Sequence, residues 1–147
     1  MAAPARLVVD ANIVIAAFLR DSTVRRIVTV SLVDLLAPEF LHEEIVRHMP
    51  LLRRRAGLSE RAGAELLELL EGYLTILPAE MLLPHWKRAG EAIGDIDPRD
   101  VPYVAAALAA PSDGMWSDDP RLKVQRFVSC WTTKEIVRAL RAQGLKF

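Results

Sequence analysis

The sequence predicts an α/β protein, a three-layer α/β/α sandwich with a central, mostly parallel sheet. Three observations carry this reading. Strand and helix signals alternate along the 147 residues, as crossover connections between parallel strands require. The first strand candidate is a short, apolar run, as a strand buried inside a sheet is. Four acids, Asp10, Glu44, Asp100 and Asp119, stand at strand ends or in the first turns of helices, embedded in apolar sequence. The carboxyl edge of a parallel sheet is where ligands bind. No repeat, linker or low-complexity segment interrupts the pattern, so residues 1–147 read as one domain.

The elements follow in order. Leu7-Val8-Val9-Asp10 makes residues 6–10 a strand. Residues 12–19 contain no turn residue and are too Ala-rich for a second strand, so a helix follows at once. Residues 22–32 read as helix, with Asp21 or Ser22 as the cap. Residues 33–37 form a short strand ended by Pro38. A helix spans about Glu39 to Arg55; Gly57 stops it, and Ser59 caps another running to about Tyr73. Residues 75–77 form a strand before Pro78, and residues 80–93 a helix with Pro84 near its start. Residues 98–110 are helical; residues 115–117 and 128–131 are strands. Thr132 or Thr133 caps a final helix that reaches Gln143 and stops at Gly144.

Composition narrows the class. A hydrophobic content of 52% with 26% charged residues describes a folded globule. Nineteen basic and nineteen acidic residues cancel, so nucleic-acid binding must rest on a local patch or on metal. A single cysteine excludes an intrachain disulfide, and Cys130, within an apolar run, reads as a buried small hydrophobe. No apolar stretch approaches the ~18 residues of a membrane span. Asp10 breaks the N-terminal apolar run, which argues against a signal peptide, so the cytoplasm is expected.

The acids carry the chemistry. Burying lone carboxylates together is costly unless a cation or proton compensates. Asp10, at a strand end entering a helix, is either a site residue or a plain N-cap. Glu44 flanks the helical face of Leu41, Ile45 and His48 or Met49; otherwise it is a solvated partner of Arg47 or His48. Asp97, before Pro98, has the signature of an N-cap, a task asparagine performs about as well. Asp100 lies at a helix start beside a close-packing, Ala-rich run. Asp118 and Asp119 cannot both point the same way, and either can initiate the turn at Pro120. Ser117 adds a hydroxyl at the strand end. His42, His48 and His85 lack zinc-ligand spacing, and an all-oxygen set selects Mg²⁺ or Mn²⁺. Such ions activate water and neutralise phosphoryl charge, so phosphoester chemistry is the natural class. Arg53-Arg54-Arg55 could touch phosphates or form a solvated helix end.

Asp10-x-Asn12 after an apolar strand resembles the opening of PIN-domain (PilT N-terminus) ribonucleases, including toxins of the VapC type. The segment Pro38 to Ile45 resembles the family's helix bearing its second acid, on Glu44; Asp97 to Ala105 resembles the segment bearing the third, on Asp100. Trp116-Ser117-Asp118-Asp119 resembles the Thr/Ser-x-Asp motif, placing the fourth on Asp119 with Ser117 in support. Asp118 stands where that branch often has a neutral residue. Trp131 to Glu135 resembles the closing strand and helix of one prokaryotic branch. The resemblance implies a PIN-like fold, and four acids holding Mg²⁺ or Mn²⁺ that activates water to cleave single-stranded or loop RNA. Asn12, Asp97 and Asp118 would be supporting residues. It also implies a homodimer and, for a toxin, a small antitoxin partner.

Two other readings compete. A haloacid-dehalogenase-type phosphatase matches Asp10-Ala11-Asn12-Ile13-Val14 except that Asn12 stands where its general acid belongs. A non-catalytic PIN-like scaffold would use the acids as caps. The four acids are expected to converge on one sheet edge. Like-charge repulsion raises at least one of their pKa values. The apolar faces Ile13-Val14-Phe18 and Leu66-Leu67-Leu70 exceed the needs of a small core and favour a homodimer.

Overall fold

The computed structural model describes residues 2–19, 22–30 and 32–146. Five strands, β1 (Arg6–Val9), β2 (Asp34–Pro38), β3 (Leu74–Leu77), β4 (Met115–Trp116) and β5 (Cys130–Trp131), form one sheet in the order β3-β2-β1-β4-β5. Every pairing is parallel. Leu7, Val8 and Val9 are fully buried, as expected of a central strand covered on both faces. The architecture is the expected three-layer α/β/α sandwich.

The topology places the site. From β1 the chain winds outward through β2 to β3 on one side, and later through β4 to β5 on the other. The winding direction therefore reverses between β1 and β4. Outside the carboxyl ends of such a strand pair a crevice opens, because the connections leave in opposite directions. Asp10 follows β1 directly and Ser117 follows β4 directly, so both sit at that crevice.

The helices largely fall where the sequence puts them. α1 (Ala11–Phe18) begins immediately after Asp10. α2 covers Ser22–Val30. Asp21 and Ser31 lie outside the described residues, and with them the choice of cap and the predicted extension to residue 32. α3 (Phe40–Ala56) runs through Pro50 and stops at Gly57, whose left-handed backbone (φ 67°) lets its N–H return to Arg53. α4 (Glu60–Glu71) is capped by Ser59, which accepts from Ala62 N at 3.1 Å. At the C-terminal end Thr132, not Thr133, caps the helix Thr133–Ala142, in a reciprocal capping box with Glu135.

The structure corrects several expectations. Residues 80–93 are not one helix. α5 (Ala79–Leu82) gives way to a 3₁₀ turn at Leu83–His85, then α6 (Trp86–Ala89), then a π-helical turn at Gly90–Gly94. Pro84 has no N–H to donate, and the two glycines do little to hold regular α geometry. The helix expected from residue 98 is a 3₁₀ turn at Pro98–Asp100 followed by α7 (Val101–Ala109). Pro38 belongs to β2, paired with Leu77, so it does not end that strand. Cys130 is only half-buried, although burial pushes its thiol up to about 11.

The surplus apolar faces are not surplus. Ile13, Val14, Phe18, Leu67 and Leu70 are all buried within the chain and Leu66 is half-buried, so these faces leave little apolar surface for a homodimer. A three-layer sandwich packs helices on both sheet faces and consumes more apolar surface than a two-layer core. The side chains of Ile13, Phe18 and Val104 are spent in that core, as are Ala105 and Ala106, whose small size lets α7 approach the sheet closely.

Candidate active site

Asp10, Glu44, Asp97, Asp100 and Asp119 line one cleft of ≈ 110 Å³ at the crevice, with Asn12 exposed at its edge. They come from five places in the chain: the end of β1, the first half of α3, both ends of the 3₁₀ turn before α7, and the segment after β4. The expected convergence on one edge of the sheet is therefore present. His48 lines the same cleft, whereas Arg53 lines a separate groove between α3 and α4.

Asp10 is 2% exposed and does cap α1, its Oδ1 accepting from Ile13 N at 3.1 Å. Its other oxygen, Oδ2, accepts a hydrogen bond from Ser117 Oγ. Ser117 Oγ in turn accepts from Asp119 N at 3.1 Å. The serine thus ties the ends of β1 and β4 together and fixes the Asp10 carboxylate toward the cleft. Capping and site placement coexist because a carboxylate has two oxygens.

Glu44 faces inward, and it is not spent on Arg47 or His48. Tyr103 Oη donates to its Oε2 at 2.8 Å, and Tyr103 is 2% exposed. Asp100 stands at the N-terminal boundary of α7 but makes no capping bond with its side chain. Its Oδ2 is buried and has no hydrogen-bond partner among the described residues.

The adjacent acids after β4 diverge. Asp118 turns away, accepting from Thr133 N at 2.7 Å and Thr133 Oγ1 at 2.6 Å. It braces the start of the last helix, and Asp119 is the one that lines the cleft.

Two arginines complete the site, and neither is among the residues expected from the sequence. Arg121 Nε lies 3.1 Å from both Asp119 oxygens, and its Nη2 lies 2.8 Å from Asp119 Oδ2 and 3.1 Å from Asp97 Oδ2. Arg99 pairs with Asp97 at 3.3 Å. A signal was available: the tripeptide Asp-Pro-Arg occurs at residues 97–99 and again at 119–121. Each copy forms a 3₁₀ turn in which the aspartate accepts from the arginine N–H two residues on. The geometry folds each arginine back over its own aspartate. Tyr103 was equally legible, three residues after Asp100 on one helical face. Asp97 is a cap, as expected, but it is also ion-paired with two guanidinium groups, so asparagine does not replace it fully.

The electrostatics divide the cleft. Burial pushes Asp10 up to about 7, against the pull of the Ser117 and Ile13 hydrogen bonds. Burial, then the charges of Asp97, Asp119 and Glu44, push Asp100 up to about 6. The leading cause is thus desolvation; like-charge repulsion, the cause expected, comes second. Asp119 is held below the usual carboxylate range by its bonds to Arg121. Burial raises Asp97 too, but the hydrogen bonds and charge of Arg99, with Arg121 behind, outweigh it and hold it low.

The donor chemistry fits a divalent cation. The five acids offer oxygens of the kind Mg²⁺ and Mn²⁺ prefer, and Asp100 presents a buried oxygen that lacks a partner among the described residues. As arranged, no three acids among the described residues close around a single point.

The family model of the PIN domain matches residues 8–141, and the chain belongs to that family. PIN domains are generally metal-dependent nucleases, which sets aside the phosphatase reading. Among curated proteins nothing matches this chain. No helix of the described residues is long and apolar enough to cross a membrane.

Proposed function

We propose that this chain is a Mg²⁺- or Mn²⁺-dependent ribonuclease whose cleft holds the cation with Asp10, Asp100 and Asp119, and with Glu44. The observation that carries the reading is the buried Oδ2 of Asp100, without a hydrogen-bond partner among the described residues, in a cleft shared with four other acids. A carboxylate oxygen kept from water without a donor is costly unless a cation meets it in the working state. A cation bound there would supply charge neutralisation on the scissile phosphate and activation of water.

The chain's own residues have distinct tasks. Asp10, anchored by Ser117 and by the start of α1, is the most rigid donor. Tyr103 aims Glu44. Asp97 and Asp118 are structural, one ion-paired with Arg99 and Arg121 in the cleft wall and the other bracing the last helix. Asn12, exposed at the rim, is placed to meet substrate.

The finer reading is a VapC-type toxin acting in the cytoplasm with a protein antitoxin. It rests on the likeness of Trp131 to Glu135 to one prokaryotic branch. A homodimer belongs to the same reading and would draw on exposed apolar side chains such as Leu69 and Leu83 rather than on the buried faces. Incubation of the purified protein with single-stranded RNA, with Mn²⁺ and then with excess chelator, tests the enzyme. Cleavage that persists in chelator, or no cleavage with either metal, overturns it. A scaffold without activity would show the second result. Growth arrest on induction, relieved by the product of the gene immediately upstream, tests the toxin.

A further inference from the structure

The five acids of the cleft are not equally available. Arg121 occupies both oxygens of Asp119, Nε reaching Oδ1 and Oδ2 and Nη2 reaching Oδ2. The same Nη2 extends to Asp97 Oδ2, so one guanidinium bridges two carboxylates from turns 22 residues apart in sequence. Its side chain is 51% exposed, with solvent on one side into which it can withdraw. Asp97 does not depend on it, because Arg99 N and Nε both donate to Asp97 Oδ1. Asp119 does: among the described residues, apart from Arg121 N, every donor to its carboxylate belongs to the Arg121 side chain.

We propose that Arg121 is the resident counter-cation of the cleft, which a divalent cation must displace from Asp119, so that this guanidinium sets how tightly the cleft binds metal. The inference rests on the metal-dependent reading above. A fork-shaped guanidinium and a divalent ion compete for the same carboxylate oxygens, and they repel each other at close range. Arg121 then has two positions: paired with Asp119 when metal is absent, and withdrawn toward solvent when metal is present. In its first position it relieves the mutual repulsion of Asp97, Asp119 and their neighbours, and so holds the metal-free cleft together.

Calorimetric titration of MnCl₂ into the full chain, in chelator-stripped buffer, tests this. Arg121→Gln should tighten Mn²⁺ binding by about tenfold, because the ion no longer displaces a charge-assisted pair. Arg121→Lys keeps the charge but loses the fork, and should tighten binding by a smaller factor. Arg54→Gln removes the same charge from an exposed helix end and should leave the affinity at the wild-type value. The metal-free melting temperature of Arg121→Gln should fall, and its rise on adding Mn²⁺ should exceed that of the wild type. A merely structural arginine would lower the first and leave the second alone. Unchanged or weaker Mn²⁺ binding in Arg121→Gln overturns the proposal; if that variant does not fold, Arg121→Lys with wild-type or weaker affinity does so. If the wild type binds Mn²⁺, Asp10→Asn does not and Arg121→Gln matches the wild type, only the role of Arg121 falls. If none of them binds Mn²⁺, the metal reading falls as well.

Discussion

Tyr103 Oη donates to Glu44 Oε2 at 2.8 Å, joining α7 to α3 across 59 residues of sequence. The tyrosine ring is buried, so its hydroxyl has one direction in which to point, and that direction sets where Glu44 stands. Tyr103→Phe keeps the ring and removes the donor. The hydrogen bond to a carboxylate contributes about 2 kcal/mol, so the melting temperature should fall by roughly 5 °C. RNA cleavage in Mn²⁺ should fall by about tenfold in kcat/KM, as for a mispositioned catalytic group. Steady-state kinetics beside a thermal melt check this; a stability loss with unchanged kinetics would make Tyr103 a packing residue only.

Asp10→Asn keeps shape and removes charge. Asparagine still accepts from Ile13 N, so α1 keeps its cap. Mn²⁺ binding and RNA cleavage should fall by orders of magnitude, and the metal-free protein should melt higher at pH 8, where the native carboxylate is ionised in a desolvated place. Asp97→Asn behaves differently. It keeps the cap but releases Arg99 and Arg121 from an ion pair, so stability should drop by about 1 kcal/mol and cleavage by far less than in Asp10→Asn. Equal activity losses in the two variants would refute the division of labour.

The pH dependence of stability follows from the two buried acids. Asp10 at about 7 and Asp100 at about 6 both stand above the ordinary value of 3.8. The native state therefore holds protons that the unfolded chain releases, and it is the protonated native state that gains. That stabilisation is full below the ordinary carboxylate value and is lost as pH rises through 6 and 7. Asp97 and Asp119 shift downward, so their contribution is lost only in more acid solution. The metal-free protein should melt about 5 °C lower at pH 8 than at pH 5, and Asp10→Asn should flatten the curve. Apparent Mn²⁺ affinity should rise over the same interval, since protons and metal compete for the same oxygens. A melting temperature that climbs from pH 5 to pH 8 would contradict both assignments.

Gly114 enters β4 with φ 118°, and a Cβ there would lie 2.2 Å from Ser129 O. The obstacle is backbone of the segment leading into β5, which cannot move without disturbing the pairing of Met115 with Cys130. Gly114→Ala should cost about 3 kcal/mol, and since Ser117 stands three residues on, activity should fall in step with stability. Denaturant unfolding compared with residual cleavage checks it; wild-type stability would show that β4 and β5 can separate freely.

The sequence by itself determined the class of fold and most of the acid set. Continuous apolar strands, turn-forming glycines and local caps such as Ser59 act over a few residues, so their effects are written in adjacent letters. The division between Asp118 and Asp119 was not written there, because alternation after a strand end depends on what each side chain meets. Asp118 met Thr133, on a helix start that only the β4–β5 pairing brings near. The breaks in residues 79–94, the burial of Phe18 and Leu70 and the bond from Tyr103 to Glu44 likewise depend on which elements pack together. Tertiary structure alone decided that Arg121 spans two turns and that burial, more than repulsion, sets the state of Asp10. Hydrogen bonds and desolvation are properties of atoms near in space, and a linear sequence records neighbours in the chain.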